Sequence, residues 1–409
     1  MKIQWVSDSV NIPTGYAQVT RNILYRLKMS GFDVEHIGFH FTPTQPIPSS
    51  VPVNYPIKFP IMPTGQNHWE EFYGNKGTVE THASAFKPDI LAFLCDSFMI
   101  KWILDEEFSK EFPQGRKKFD RLKEHAKKTL FYFPFDSRDV YDKAKDVIEL
   151  FDIRVAMSRW GQEVLRKAGL ESHYIPHGAD TNIYRPLPQE TRDALRKQNG
   201  FDGKFVIGCV AKNQTRKMLP NLMQAYKNLL DKYDDMILFI HCNPTDPQGW
   251  NLVDYAKRIG LENKVMFGLK ANQYGLHECQ VNMVYNTMDI HVLPTTGEGF
   301  GLPIIESMAA GIPNIATDYT TSRELLDGHG ELIRLSKEMP YIIGQLNTHR
   351  ALPSVPDMEK KIEKLYKRPK LREQYSKVGR RFVLDHYNWE KVLRQWTELL
   401  EYGKVKEPY

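Results

Sequence analysis

The sequence predicts an α/β protein built from two doubly wound lobes. Three observations carry this reading. Short apolar runs alternate with longer amphipathic stretches along nearly the whole chain. The apolar residues of those runs are near-continuous rather than alternating, as parallel strands covered on both faces require. The alternation comes as two successive series, with a proline-bearing polar stretch between them.

The first series places strands at 3–7, 34–39, 90–95, 130–135, 153–157 and 173–176. Between the first two, residues 19–28 have helical spacing, with Val19, Ile23, Leu24 and Leu27 on one face. The second series places strands at 205–211, 236–242, 264–267, 289–293 and 312–317, with helices such as 219–230 and 303–310 between them. The stretch YRPLPQET at 184–191 has two prolines among polar neighbours and reads as the linker. The expected lobes are therefore 1–187 and 188–386. Residues 387–409 open with an amphipathic helix carrying Trp389, Val392, Leu393, Trp396 and Leu399. So apolar a face has to dock, and the first lobe is the expected partner. Residues 43–63 hold Pro43, Pro46, Pro48, Pro52, Pro56, Pro60 and Pro63, and read as a long ordered or semi-extended loop, of a kind that is usually functional or mobile.

Composition bounds the function classes. The 409 residues are 41% hydrophobic and 26% charged, which excludes a mainly disordered chain and supplies two cores. Cys95, Cys209, Cys242 and Cys279 have neither metal-ligand spacing nor the density of a disulfide framework, so a reducing compartment is expected. The N-terminal residues lack the apolar core of a secretory signal, and no apolar run approaches the ~20 residues of a membrane span. A cytoplasmic protein is expected. The net charge of +5 permits an anionic partner without requiring one.

The chemistry concentrates at 294–311, PTTGEGFGLPIIESMAAG. A strand is expected to end at Leu293. A turn with Gly297, Gly299 and Gly301 follows, and Pro303 opens a helix. Such a turn presents backbone N–H groups and a positive helix end to an anion. Glu306 is expected in the first helical turn, where a carboxylate accepts two hydrogen bonds from a vicinal diol such as ribose. Glu298 lies on the turn itself. A tight turn with solvated or capping glutamates is the plainer alternative for an isolated Gly-rich segment.

The string EGFGLPIIESMAAG resembles the signature of the retaining family 4 glycosyltransferases. In that family two glutamates with seven residues between them flank a GFGLP turn, and Glu298 and Glu306 match both. The resemblance extends to ATDYTTSRELL, where Glu324 falls in the expected place and Thr320, Thr321 and Ser322 replace the family's usual glycines. It extends to GCVAKNQTRKML, where Lys212 and Lys217 take the positions of a basic pair and Arg216 lies beside them. Fixed cations at a strand end stabilise the charge on a departing diphosphate. Lysine at 212 gives up the planar fork of the family's arginine. Gly15 in PTGYAQVTRNIL matches a glycine loop that faces the diphosphate. IPHGADTNIYRP, with His177, Gly178 and Asp180, looks like the family's interlobe segment and is read as structural. In FYFPFDS, Asp136 matches a residue facing the transferred sugar.

The resemblance implies the GT-B fold, two Rossmann-like lobes facing across a cleft, with the donor on the C-terminal lobe. It implies transfer of a hexosyl or pentosyl group from a nucleotide-diphosphate sugar, a UDP-sugar foremost, with retention. Glu298, Lys217 and Asp136 are the implied catalytic residues. Gly15, Lys212, Arg216, Lys217, Glu298, Gly299, Phe300, Gly301, Leu302 and Glu306 are the implied donor contacts. No cofactor is implied. The chain has no Asp-x-Asp pair on which to hold a metal, so neutralisation by side-chain cations is expected.

The acceptor is open. Residues 116–128, RKKFDRLKEHAKK, carry seven basic and two acidic residues. They read either as a solvated helix face or as a surface for a polyanion, DNA slightly ahead of an anionic lipid bilayer. Two rival functions remain: an epimerase or hydrolase of nucleotide sugars on the same fold, and a non-catalytic nucleotide-sugar-binding protein.

Overall fold

Strand-forming segments that are apolar on both faces need helices on both faces, and each series meets that need with its own parallel sheet. A computed structural model describes residues 1–41, 57–64, 73–74, 77–111, 113–268, 275–337, 341–343 and 348–405. In the first unit the sheet order is Ile61–Pro63, Asp33–Phe39, Lys2–Asp8, Ile90–Leu94, Lys128–Phe133, Ile153–Ala156 and His173–Tyr174. In the second it is Val265–Phe267, Met236–His241, Phe205–Val210, Ile290–Leu293, Asn314–Thr317 and Glu331–Ile333. All pairings within both sheets are parallel. The α/β class with two Rossmann-like lobes is thus the fold observed. In each sheet the winding direction reverses once, beside the first strand of the lobe. In doubly wound sheets that reversal opens a crevice at the carboxyl ends of the strands, where ligands bind.

The helix Leu219–Leu230 has the bounds the spacing predicts. The helix Gly15–Met29 begins four residues before its apolar face because Thr14 caps it, accepting the Ala17 N–H. The C-terminal helix Trp389–Tyr402 packs into the first unit. There Trp396 is fully buried and meets Trp5 and Tyr132 edge-on, at centroid distances of 5.5 and 4.9 Å.

The unit boundary differs from the expected one. The first unit comprises Met1–Phe135, Asp139–His177 and the segment from Glu390, while Asp136–Arg138 and Gly178–Trp389 form the second. The crossing therefore falls ahead of the prolines, not among them. Residues after Gly178 already belong to the second unit because its side chains satisfy their backbone. Asn282 accepts the Arg185 N–H at 3.1 Å, and Asn286 accepts the Leu187 N–H at 2.8 Å. Of the proline-rich segment, residues 42–56 lie outside the described residues. Its end forms the edge strand Ile61–Pro63, an edge being where a strand tolerates proline. Among the described residues no helix is long and apolar enough to cross a membrane.

Among the described residues four histidines are buried neutral. Burial lowers His36, His241 and His291 to about 4 and His177 to about 3. The unfolded chain binds protons at these sites below its ordinary value of 6.5, while the folded chain does not until pH 4 or lower. Stability is therefore present in full above pH 6.5 and falls as pH drops toward 4, by ~1.4 kcal/mol per pH unit for each histidine in that window. Thermal melts from pH 7.5 to 4.5 should show a steep fall beginning near pH 6.5. A flat profile down to pH 5 would contradict the neutral burial.

Candidate active site

The second crevice lies between Phe205–Val210 and Ile290–Leu293, and three neighbouring strands deliver their following loops to it. After Phe205–Val210 comes a single tight turn, Thr215–Lys217, followed by Met218 in the left-handed region at φ 47°. After Ile290–Leu293 comes the glycine turn. After Asn314–Thr317 comes the Thr320–Thr321 segment. The first two turns are joined directly, since the Thr296 N–H donates to the Arg216 carbonyl at 2.8 Å.

Glu298 stands at the centre, only 4% exposed. Its Oε1 accepts from Lys217 Nζ at 2.5 Å and Arg216 Nη1 at 3.1 Å. Burial alone would raise its carboxyl. The adjacent Arg216 and Lys217 charges outweigh burial and hold it down at about 2. Burial, with Arg216 beside it, lowers Lys217, and Glu298 opposes that shift. The glutamate is thus a fixed anion and the lysine its paired cation. Expected as separate sugar and phosphate contacts, the two form one ionic cluster.

Lys212 does not join this cluster. It is exposed, and its ammonium donates to Gln248 Oε1 at 2.8 Å. Arg216 is the second cation on Glu298, so the guanidinium fork that position 212 lacks is supplied four residues later.

Thr320 and Thr321 reach the same turn through their hydroxyls. Thr320 Oγ1 accepts the Glu298 N–H at 2.9 Å, and Thr321 Oγ1 donates to the Glu298 and Gly299 carbonyls at 3.0 and 3.1 Å. Thr320 makes its contact from φ 50°, ψ −139°, a conformation that suits glycine. The glycine-to-threonine departure in the sequence was the available signal; the side-chain contacts it enables were not.

The helix following the turn is Leu302–Ala309, with Gly301 as its cap at φ 99°, where a side chain would be strained. Leu302, not Pro303, is its first residue, so Glu306 falls in the second turn rather than the first. Glu306 is buried and its Oε2 accepts from the Tyr285 hydroxyl at 2.9 Å. Burial, and then this carboxylate, keeps the Tyr285 hydroxyl well above its ordinary range. Phe300 is buried with its ring 5.9 Å from that of Tyr387. Beneath the turn, His291 Nε2 accepts the Val210 N–H at 3.2 Å while Nδ1 lies 2.8 Å from Asn314 Oδ1. This ring ties the three strands together, and no motif announced it.

Asp136 belongs to the same unit. Its carbonyl lies 2.0 Å from where a Gly297 Cβ would stand, so only glycine fits there. His177, Gly178 and Asp180 are structural, as read. His177 is buried with Nδ1 2.7 Å from the Tyr132 hydroxyl, Gly178 backs onto the Trp389 ring, and Asp180 Oδ1 accepts the Asn182 N–H at 3.0 Å.

The first unit's crevice, between Lys2–Asp8 and Ile90–Leu94, is furnished differently. Gly15 is exposed at the start of its helix. Asp8 accepts from the Thr14 hydroxyl at 2.6 Å, and Asp96 from the Tyr16 hydroxyl at 2.9 Å. The basic run 116–128 is largely neutralised by acids of its own unit. Arg116 pairs with Glu124, Lys118 with Asp105, Arg121 with Glu80 and Glu107, Lys123 with Asp152, and Lys127 with Asp89.

Comparison with known proteins agrees with this geometry. Residues 191–382, just under half of the chain, match the family described as glycosyl transferases group 1. Mannosylfructose-phosphate synthase of Agrobacterium fabrum is 25% identical over 245 residues, 58% of this chain and 48% of that protein. The lipopolysaccharide core biosynthesis mannosyltransferase LpsB of Rhizobium meliloti is 29% identical over 161 residues, 38% of this chain and 43% of that protein. The chain thus spans about half the length of the curated relatives it matches. Sucrose-phosphate synthase from Thermosynechococcus elongatus superposes with a TM-score of 0.74 over 98% of both chains at 16% identity. Anabaena HepE, crystallised with UDP and glucose, superposes with a TM-score of 0.73 over 98% of this chain and 99% of its own at 15% identity. At such identities these likenesses establish the fold, GT-B, alone.

The strain at Thr320 gives a test of the turn. Thr320→Gly should relieve ~1–3 kcal/mol of backbone strain. It should lose a hydrogen bond worth ~1 kcal/mol and add glycine's chain entropy, also ~1 kcal/mol, leaving Tm nearly unchanged. Thr320→Ala keeps the strain and leaves the Glu298 N–H without its acceptor, so its Tm should be clearly the lower of the two. The reverse order would show that Thr320 is unstrained.

Proposed function

We propose that the protein is a retaining glycosyltransferase that moves a hexosyl or pentosyl group from a nucleotide-diphosphate sugar to a hydroxyl of an uncharged acceptor, without a metal ion. The observation that carries this reading is the buried Glu298–Lys217–Arg216 cluster at the crevice of a group 1 domain. A UDP-sugar is the preferred donor, consistent with the UDP crystallised in the structurally similar HepE.

Lys217 and Arg216 stabilise the charge that develops on the leaving diphosphate. An ammonium has three donors, so its bond to Glu298 does not exclude phosphate oxygens. Glu298, kept ionised, accepts from hydroxyls of the transferred sugar. Glu306 receives the ribose. Asp136 faces the sugar from the other side of the Gly297 turn. The leaving phosphate oxygen takes the acceptor proton.

The acceptor follows from charge. The ion pairs of 116–128 leave a DNA or anionic-lipid surface without its support. The crevice of the first unit instead carries the carboxylates of Asp8 and Asp96, which suit the hydroxyls of a neutral polyol or glycan and oppose an anion.

A panel of UDP-, GDP- and ADP-sugars read by thermal shift tests the donor. A ligand at a hundred times its Kd adds ~2.7 kcal/mol of stability. UDP-sugars should give the largest shift, unaltered by EDTA, and no shift with any nucleotide sugar would refute the reading. With the donor known, Glu306→Gln should chiefly weaken nucleotide binding. Glu298→Gln should chiefly lower kcat, by ~10²-fold or more. Equal release of free sugar with and without every acceptor would favour a hydrolase instead.

A further inference from the structure

Arg350 belongs to no motif, yet it stands against the catalytic turn. It ends the short strand Thr348–Arg350, which pairs antiparallel with Tyr341–Ile343. The next residue is fastened to the turn, the Ala351 N–H donating to the Thr296 carbonyl at 3.2 Å. Its side chain is 4% exposed and makes an ion pair of 2.6 Å, Nη2 to Asp136 Oδ1, whose side chain is 28% exposed. Nη1 lies 3.1 Å from the Gly297 Cβ position, on the side where the Asp136 carbonyl also lies. Guanidinium, glycine turn and Asp136 backbone thus meet at one point.

The remaining donors of this guanidinium distinguish it from a structural arginine. Arg196 spreads its donors over the Thr287 and Lys204 carbonyls and Asp289. Arg380 donates to the Tyr184 and Ala309 carbonyls. Among the described residues Arg350 Nε and Nη1 are buried with no hydrogen-bond partner. A buried guanidinium that leaves these donors unmet is not there to knit the backbone. Its ionic partner in the structure is Asp136.

We propose that Arg350 is a positioning residue: it clamps Asp136 onto the Gly297–Glu298 turn and so fixes the Asp136 carboxylate where the transferred sugar reacts. This inference rests on the glycosyl-transfer reading and on Asp136 facing the sugar. Because Oδ1 is held, the carboxylate plane is set and Oδ2 keeps a defined place relative to Glu298. Gly297 is the other half of the device, since any side chain there would push the Asp136 carbonyl away. Arg350 acts on the reaction through Asp136, not by binding the nucleotide.

The test is a double-mutant cycle on the full chain. R350Q, R350K, D136N and the double variant D136N/R350Q are compared for Tm, UDP affinity by titration, and kcat and KM with the donor found by the panel. R350Q should keep UDP affinity and lose ~10²-fold in kcat, the scale of a misplacement of about 1 Å. R350K, which keeps the charge without the fork, should recover ~10-fold of that loss. The double variant should be no slower than the slower single one, because both act at one carboxylate. Should R350Q fail to fold, R350K and D136N carry the same comparison through kcat at unchanged UDP affinity. Multiplying effects, or a loss of UDP affinity that matches the loss of kcat, would overturn the proposal. So would a folded R350Q with wild-type kcat, in a wild type that is itself active. A wild type that neither binds UDP nor turns over any nucleotide sugar would overturn the functional reading and this inference together.

Discussion

A carboxylate cannot stay ionised in a buried place without cations fixed beside it, and the second lobe is organised around meeting that condition at Glu298. Taking one charge of a buried pair away typically costs ~3–5 kcal/mol, because the other is left unpaired. Here two cations, Lys217 and Arg216, come from one loop and the anion from another. The loops meet only because their parent strands, Phe205–Val210 and Ile290–Leu293, are parallel neighbours. The backbone of the anion is held as well, by Thr320 and Thr321 from the loop after the next strand. Correct strand order and assembly of the site are therefore the same event. A sheet wound in another order would leave Glu298 either exposed or buried without its partners.

What the sequence made legible was local. Glu298, Glu306 and the 212–217 segment were visible because their spacing lies within one turn and one helix. The lobes were visible because parallel strands are apolar on both faces. What stayed hidden depended on contacts between distant segments. Nothing in KNQTRK says that Arg216 rather than Lys212 reaches Glu298; that choice is made by the tight turn at Thr215–Lys217. Arg350 was invisible because its partner lies in the Asp136–Arg138 segment, which packs with residues far along the chain. The charge of 116–128 was legible while its neutralisation was not, since Glu80, Asp89, Asp105 and Asp152 are scattered through the sequence. The prolines at 186 and 188 marked a linker, but Asn282 and Asn286 decide which unit the preceding residues join.

Thr320 shows how such a site departs from local preference without losing the fold. A β-branched residue in a glycine conformation is unfavourable by itself. It persists because its hydroxyl accepts the N–H of the residue on which the ion cluster depends. A glycine would give the backbone its freedom and leave that N–H to find another acceptor.

Among the described residues the two crevices set different groups at their strand ends, and these groups say more about ligands than net charge does. The overall +5 permits an anionic partner, but the cations of 116–128 are largely spent on acids within their own unit. Where strand order opens the first crevice, the groups are Asp8 and Asp96 with Thr14 and Tyr16 bound to them. Where it opens the second, they are Lys217 and Arg216 around Glu298. A diphosphate is repelled by the first set and attracted by the second, whereas a hydroxyl-bearing acceptor is repelled by neither. Charge at the strand ends, not charge over the whole surface, is therefore what favours a donor on the second lobe under the proposed function.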